Sequence, residues 1–165
     1  MSFRPATPDD LEAIMVLERA SFQGDAWSDA VMRAELASEH TWYVVAQTAG
    51  GIEGYAGLRA PAGGTDADVQ TIALAESARG RGRGRALLRQ LLTEASRRGM
   101  REVFLDVRDD NDTAQKLYRS EGFVEIGRRP NYYPAGNVDA VVMRLDVAGW
   151  RQAAESSATD AGACS

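Results

Sequence analysis

The sequence predicts an α/β domain in which a mixed, mostly antiparallel sheet of about six to seven strands is flanked by about four helices. Three observations carry this reading. Segments rich in β-branched and aromatic residues between Thr41 and Leu74 are spaced as a hairpin followed by a third strand. An amphipathic helical stripe begins directly after a turn of alternating arginine and glycine. An apolar run, Glu102 to Val107, then opens a second alternation of strand, helix and strand, which makes the sheet mixed.

Taken in order, Thr7 or Asp9 can cap a helix that runs to about Phe22 and places Leu11, Ile14, Met15 and Leu17 on one side. A second short helix follows Ser28, with Val31, Met32 and Leu36 apolar. Thr41–Gln47 and Ile52–Arg59 read as a hairpin across Thr48–Gly51, and Asp68–Leu74 as a third strand. Gly82 to about Arg98 is a helix that buries Leu87, Leu88, Leu91, Leu92 and Ala95 and stops at Gly99. Glu102–Val107 has the character of a strand buried on both faces. Asp112–Ser120 is a helix ending before Gly122. Phe123–Gly127 and Val138–Asp146 supply the last strands, on either side of a loop RRPNYYPAGN. Residues 1–148 form one domain; the Ala- and Ser-rich tail, 149–165, is expected to be disordered.

Composition narrows the chemistry. The chain is 44% hydrophobic and 26% charged, with no apolar run near the roughly 20 residues that span a bilayer. The first residues, MSFRPATPDDLEAIMV, lack a basic region followed by an apolar one, so a cytoplasmic protein is expected, with no membrane association. One cysteine, Cys164, and one histidine, His40, exclude a disulfide framework and a His/Cys metal site. Cys164 in the tail is no sensible nucleophile, and His40 reads as a surface loop residue rather than a base. A net charge of −5 argues against nucleic acid as a partner, yet arginines gather at 79–89, 97–101 and 128–129. A local anion site in an acidic protein is the economical explanation.

The stretch RGRGRGRALL, Arg79 to Leu88, locates that site. A disordered Arg-Gly tract would continue into low-complexity sequence; this one lies between the strand VQTIAL and the helix ALLRQLLTEA. At such a turn the first helical N–H groups lack partners and, with the helix dipole, attract an anion. Glycines 80, 82 and 84 allow positive φ and close approach of a phosphate. A P-loop would need Lys and then Ser or Thr where Arg85 and Ala86 stand, and the dinucleotide fingerprint spaces its glycines differently.

Arg79, Gly82 and Gly84 instead fit Arg/Gln-x-x-Gly-x-Gly/Ala. The turn therefore resembles the coenzyme A pyrophosphate loop of the GCN5-related N-acetyltransferases. Further along, TIAL, RGRGRALLRQLL, LDVRDDN, KLYRSEGF, RRPNYYP and VVMRL stand in the order and close to the spacing of the bacterial alanine N-acetyltransferases, which modify the N-terminus of a small-subunit ribosomal protein. AWSDAVMRAEL in the first half resembles that family's substrate-side helix.

The resemblance implies a fold, a cosubstrate and residue roles. The fold would be the GNAT fold and the cosubstrate acetyl-CoA, without a metal. Ile72, Ala73 and Leu74 would pair their backbone with the pantetheine arm. Gly80, Arg81, Gly82, Arg83, Gly84 and Arg85, with Arg79, would bind the pyrophosphate. Asn111 would hydrogen-bond the pantetheine, or else cap the helix at Asp112. Tyr118 would protonate the departing thiolate, or else pack in the core beside Leu117. Where the family has Glu in Leu-Glu-Val-Arg, this chain has Asp106 in LDVR: a base acting through water, or an acid paired with an arginine. Glu76 is a second candidate base. Trp27, Tyr132 and Tyr133 would line the acceptor side.

The implied acceptor is a protein N-terminus, and the assembly a monomer or weak dimer. An α-amine with a pKa near 7.8 is roughly a quarter neutral at about pH 7.4, whereas a lysine near 10.4 is about one part in a thousand neutral. Rival readings are a lysine or small-amine acetyltransferase and a coenzyme A sensing module with weak catalysis; an RNA binder comes third.

Overall fold

In the computed structural model, which describes residues 1–163, seven strands form one sheet in the order β1-β2-β3-β4-β5-β7-β6. They are β1 (Ser2–Pro5), β2 (Thr41–Thr48), β3 (Gly51–Arg59), β4 (Asp66–Leu74), β5 (Glu102–Arg108), β6 (Val124–Tyr133) and β7 (Val138–Asp146). The helices are α1 (Leu11–Phe22), α2 (Asp29–Ala37), α3 (Arg83–Arg97), α4 (Asp112–Glu121) and α5 (Val147–Ala163). Only β4 and β5 pair in parallel.

Two cores sandwich the sheet. On one face Leu87, Leu88, Leu91, Leu92 and Ala95 of α3 pack on Val103, Leu105 and Val107 of β5 and on Val141, Met143 and Leu145 of β7. Each such leucine contributes about 1.5–3 kcal/mol of apolar burial. On the other face Ile14, Met15 and Leu17 of α1 and Met32 of α2 cover Tyr43, Val45, Tyr55 and Ala73. No residue of β5, β6 or β7 joins that second cluster. Helices α1 and α2 thus roof one half of the sheet and leave the other half open.

That asymmetry corrects one expectation. β5 alternates instead of being buried on both faces: Val103, Leu105 and Val107 are buried, while Glu102, Phe104, Asp106 and Arg108 look onto the unroofed side and stay partly exposed. Other boundaries also move. β1 pairs antiparallel with β2, and Arg4 holds it by bonding both carboxylate oxygens of Asp10 at 2.9 Å and Gln47 at 2.7 Å. β6 continues through Arg128–Tyr133, where a loop was expected, because its register on β7 shifts twice, at Ile126 and again between Arg129 and Tyr133, where Pro130 lies.

The chain after Gly149, expected to be disordered, forms most of α5. Asp146 accepts the N–H of Gly149 at 3.0 Å, an N-cap. Trp150 packs against the α3-side core, and its indole N–H donates to Glu121 at 3.3 Å. Alanine-rich sequence then favours helix once its start is anchored. Cys164 lies outside the described residues.

Beneath α1 sits a carboxyl group away from water. Glu18 is 2% exposed and accepts the Tyr55 hydroxyl at 3.0 Å and the backbone N–H of Trp27. Burial raises its pKa despite these bonds. A carboxyl whose folded pKa exceeds its unfolded one contributes most at low pH and loses that contribution as pH rises through the folded value. Glu18→Gln is therefore expected to gain in Tm over the unmodified protein between pH 4 and pH 8, by about 2–4 °C in thermal melts. An unchanged difference across that range would contradict the assignment.

Candidate active site

The cleft originates in a parting of strands. β4 and β5 pair only through Asp66–Asp68 and Glu102–Phe104, and then diverge. Beyond Asp68, β4 has β3 as its sole strand partner, so the β5-facing backbone groups of its last part are open to an added chain. Crevices at the carboxyl ends of neighbouring parallel strands are where α/β sheets take ligands. Ile72 and Leu74 pack toward the α3 core and Ala73 toward the α1 core, so the predicted Ile72–Leu74 segment forms one wall.

At the end of that wall the chain makes the arginine-glycine turn. Gly80 and Gly82 have φ of 78° and 74°, a left-handed conformation that a side chain would strain. Gly82 is the N-cap of α3, and its carbonyl accepts the N–H of Ala86. None of the backbone N–H groups from Gly80 to Arg85 donates to another described residue. The first turn of α3 carries no acidic side chain. A row of free donors at a positive helix end is an anion site.

The arginines of the turn divide into two kinds. Arg83 donates to Glu53 at 2.7 Å, and Arg85 to Ser120 at 2.8 Å and Glu121 at 3.0 Å. Arg89 shares Glu121 at 2.7 Å. Those pairs orient side chains along the flanks. Arg79 and Arg81 are exposed and make no side-chain bond to the described residues, so they are the cations free to meet a phosphate. Arg81→Ala is expected to weaken binding of a pyrophosphate-bearing ligand about three- to tenfold at low salt and less at 0.5 M salt, with Arg83→Ala affecting it less. Equal effects at both salt concentrations would refute a charge role.

The opposite wall is β5 and the helix after it. Asp106 lies on the unroofed face, and Arg129 of β6 donates to it at 3.4 Å. The expected acid is thus both in the cleft and paired. Asn111 caps α4: its side-chain oxygen accepts the N–H of Ala114 at 3.1 Å. The helix-capping alternative holds for that oxygen, while the amide N–H2 makes no bond to the described residues. Gly84, beneath the turn, faces Leu74 and Leu117 at 3.6 and 3.7 Å from where its Cβ would be, which joins the two walls at their base.

Tyr118 of α4 is partly buried beside Phe123, with ring centroids 5.8 Å apart. Its hydroxyl bonds to none of the described residues, and burial pushes its pKa up to about 12. Tyr132 and Tyr133 meet edge to face at 5.0 Å. Arg129 stands over the first ring at 5.7 Å and Arg108 over the second at 5.4 Å. Burial raises the Tyr133 pKa, and the charges of Asp106, Tyr132 and Tyr118 add to it. Tyr133 therefore stands within electrostatic reach of both Asp106 and Tyr118. Trp27 packs against the α1-side core, at the start of α2. Glu76 is exposed in a short 3₁₀ turn after β4 and makes no side-chain bond to the described residues.

One cleft residue escaped the sequence reading. Asp68 is the last residue of β4 paired with β5; burial raises its pKa, as do the charges of Asp106 and Asp66. Two carboxylates thus face the mouth of the cleft. The sequence signal was an acid in a strand whose neighbours are apolar. Its face could not be assigned because Gln70 is an extra residue in the β3–β4 register and reverses the alternation beyond it.

Among the described residues no group of His, Cys, Asp or Glu is arranged to hold a metal ion, and no helix is long and apolar enough to cross a membrane.

Residues 11–123 match the model of the acetyltransferase (GNAT) family. The chain is 43% identical over 145 residues to the N-alpha-acetyltransferase RimI of Mycobacterium tuberculosis, covering 85% of this chain and 89% of that one. It is 46% identical over 144 residues to an uncharacterized protein of Mycobacterium leprae, of whose length it spans only 39%. The crystal structure of the ribosomal-protein-S18-alanine N-acetyltransferase of Escherichia coli superposes with a TM-score of 0.80 at 28% identity, covering 88% of this chain and 93% of that one.

Proposed function

Because the chain belongs to the GNAT acetyltransferase family, we propose that it moves the acetyl group of acetyl-CoA to the N-terminal α-amine of a protein, alanine type. The observation that carries this reading is the parting of β4 and β5, with free backbone donors on one wall and Asp106, Tyr118 and Tyr133 on the other. The names of the Mycobacterium tuberculosis and Escherichia coli relatives support an α-amine acceptor and, for the latter, an alanine on a small-subunit ribosomal protein.

In this account the residues divide the work. The open edge of β4 at Ile72–Leu74 holds the pantetheine arm by backbone pairing, and Gly80–Arg85 hold the pyrophosphate, with Arg79 and Arg81 adding charge. Asp106, one methylene shorter than Glu, takes a proton from the acceptor ammonium through a water molecule. The freed amine nitrogen attacks the thioester carbonyl carbon directly, and the C–S bond breaks. Tyr118, kept protonated by its raised pKa, gives its proton to the departing sulfur, and the proton that the attacking nitrogen loses as the amide forms returns to the Tyr118 oxygen through water. No enzyme-bound acetyl forms. Asn111 donates its amide N–H2 toward the pantetheine while its oxygen caps α4. Trp27, Tyr132 and Tyr133 line the acceptor side and limit water.

A second reading is favoured by the Asp106–Arg129 pair: a coenzyme A binding module in which the tied carboxylate makes a poor base. One assay separates the two. A panel of short peptides differing in the first residue is incubated with acetyl-CoA, and acetylated products are mapped by mass spectrometry. The proposed function predicts modification at the α-amine with alanine among the preferred first residues; coenzyme A binding without turnover on any peptide would favour the module.

A further inference from the structure

Two turns meet beside the acceptor wall. One is the 3₁₀ turn Gln23–Asp25 after α1; the other joins β6 to β7. Asp25 joins them. Its Oδ1 accepts the backbone N–H of Ala135 at 3.1 Å, and its Oδ2 accepts Nη1 of Arg108 at 2.7 Å. The same Nη1 donates to the Ala135 carbonyl at 3.1 Å, which closes a ring of three bonds. A Cβ on Gly24 would stand 3.0 Å from the Cβ of Ala135, so the turns touch where the ring closes.

Arg108 ties this contact to the site. It follows Asp106 by two residues on the same face of β5, and its guanidinium stands over the Tyr133 ring. Its remaining bonds go to Asp110, at 3.0 and 3.1 Å. The Asp25 and Arg108 side chains are 15% and 27% exposed, whereas Asp110 is 59% exposed. The bonds to Asp25 are charge-assisted and shielded; those to Asp110 are open to solvent and contribute less.

We infer that Asp25 is a positioning residue for the acceptor: through Arg108 and the Ala135 backbone it clasps the two turns together, holds Tyr133 beside Asp106 and closes the acceptor side of the cleft. This inference rests on the reading of the cleft as an acetyl-transfer site. Asp25 touches neither substrate. Its loss frees the turns to part, which disperses the acceptor contacts and admits water to the thioester, while the arginine-glycine turn that holds the coenzyme is untouched.

The test is steady-state kinetics of Asp25→Asn with an Ala-initiated peptide, together with acetyl-CoA hydrolysis measured without peptide. The peptide KM is expected to rise about tenfold, as for loss of a shielded charge-assisted bond, with the acetyl-CoA KM unchanged and peptide-free hydrolysis increased severalfold. Asp110→Asn should leave all three within about twofold. In a Cys164→Ser background, Gly24→Cys with Ala135→Cys allows a cystine after the turns give by less than about 1 Å. Oxidation of the triple variant that also carries Asp25→Asn should restore the peptide KM, and reductant should reverse the rescue. Equal changes in both KM values, unchanged hydrolysis, or no rescue by the cystine would overturn the clasp. Failure of the unmodified protein to acetylate the α-amine would instead refute the acceptor reading, and the hydrolysis assay would still judge the clasp.

Discussion

Tyr118→Phe is expected to lower kcat about a hundredfold, within the range for loss of a general acid, while the acetyl-CoA KM stays within about twofold. The structure makes this a clean substitution. The hydroxyl bonds to none of the described residues, so its removal leaves no stranded donor or acceptor, and the ring keeps its contact with Phe123. Thermal stability should be unchanged, which separates lost chemistry from lost fold. A pH profile adds a second reading. An acid works only while protonated, and a pKa of about 12 keeps Tyr118 so across the working range. In the unmodified enzyme kcat/KM should rise as the acceptor α-amine deprotonates, near pH 7.8, and hold its level to about pH 10 rather than fall as an ordinary tyrosine ionises. A large drop in stability, or equal losses in kcat and acetyl-CoA binding, would assign Tyr118 to packing.

The second large effect is predicted at Gly82→Val. Gly82 has a φ of 74° and opens α3, a conformation that costs a non-glycine residue about 1–2 kcal/mol and a β-branched one more. A Cβ there meets nothing within 4 Å, so the fold has room for it. That open space is where a phosphate must approach the free N–H groups. The acetyl-CoA KM should therefore rise more than thirtyfold, and coenzyme A should no longer raise Tm, since stabilisation by a ligand follows its concentration over Kd. Gly99→Val provides the comparison: it has a similar φ of 77° at the far end of α3, away from the turn. It should lower stability to a similar degree and leave the acetyl-CoA KM unchanged. A retained coenzyme effect in Gly82→Val would contradict the anion-site reading.

Local rules were enough for the donor side. The glycine turn, the strand before it and the leucine stripe after it are each set by nearby residues, and the structure has them within a residue or two of the expected bounds. The acceptor side depends on contacts between residues far apart in the chain. Arg108 meets Asp25 across 83 positions and Asp106 meets Arg129 across 23, and neither pairing has a periodic signature. The open face of β5 follows from where α1 and α2 stop, which no window of β5 contains. Asp68 was hidden by the bulge at Gln70, and β6 by glycine and proline residues that read as a loop. The tail lacked an apolar stripe, and it is Trp150 that packs it against the core, with Arg151 bonding Ser96 of α3, through contacts with residues far before them in the chain.

The most direct measurement compares initial rates, with saturating acetyl-CoA, on two peptides of one sequence. One begins with a free alanine and has its lysine blocked; the other is blocked at its α-amine and has a free lysine. The proposed function predicts acetylation of the first at a rate at least a hundredfold above the second, in keeping with the different neutral fractions of the two amines near pH 7.4. Equal rates, or a faster reaction on the lysine, would contradict it.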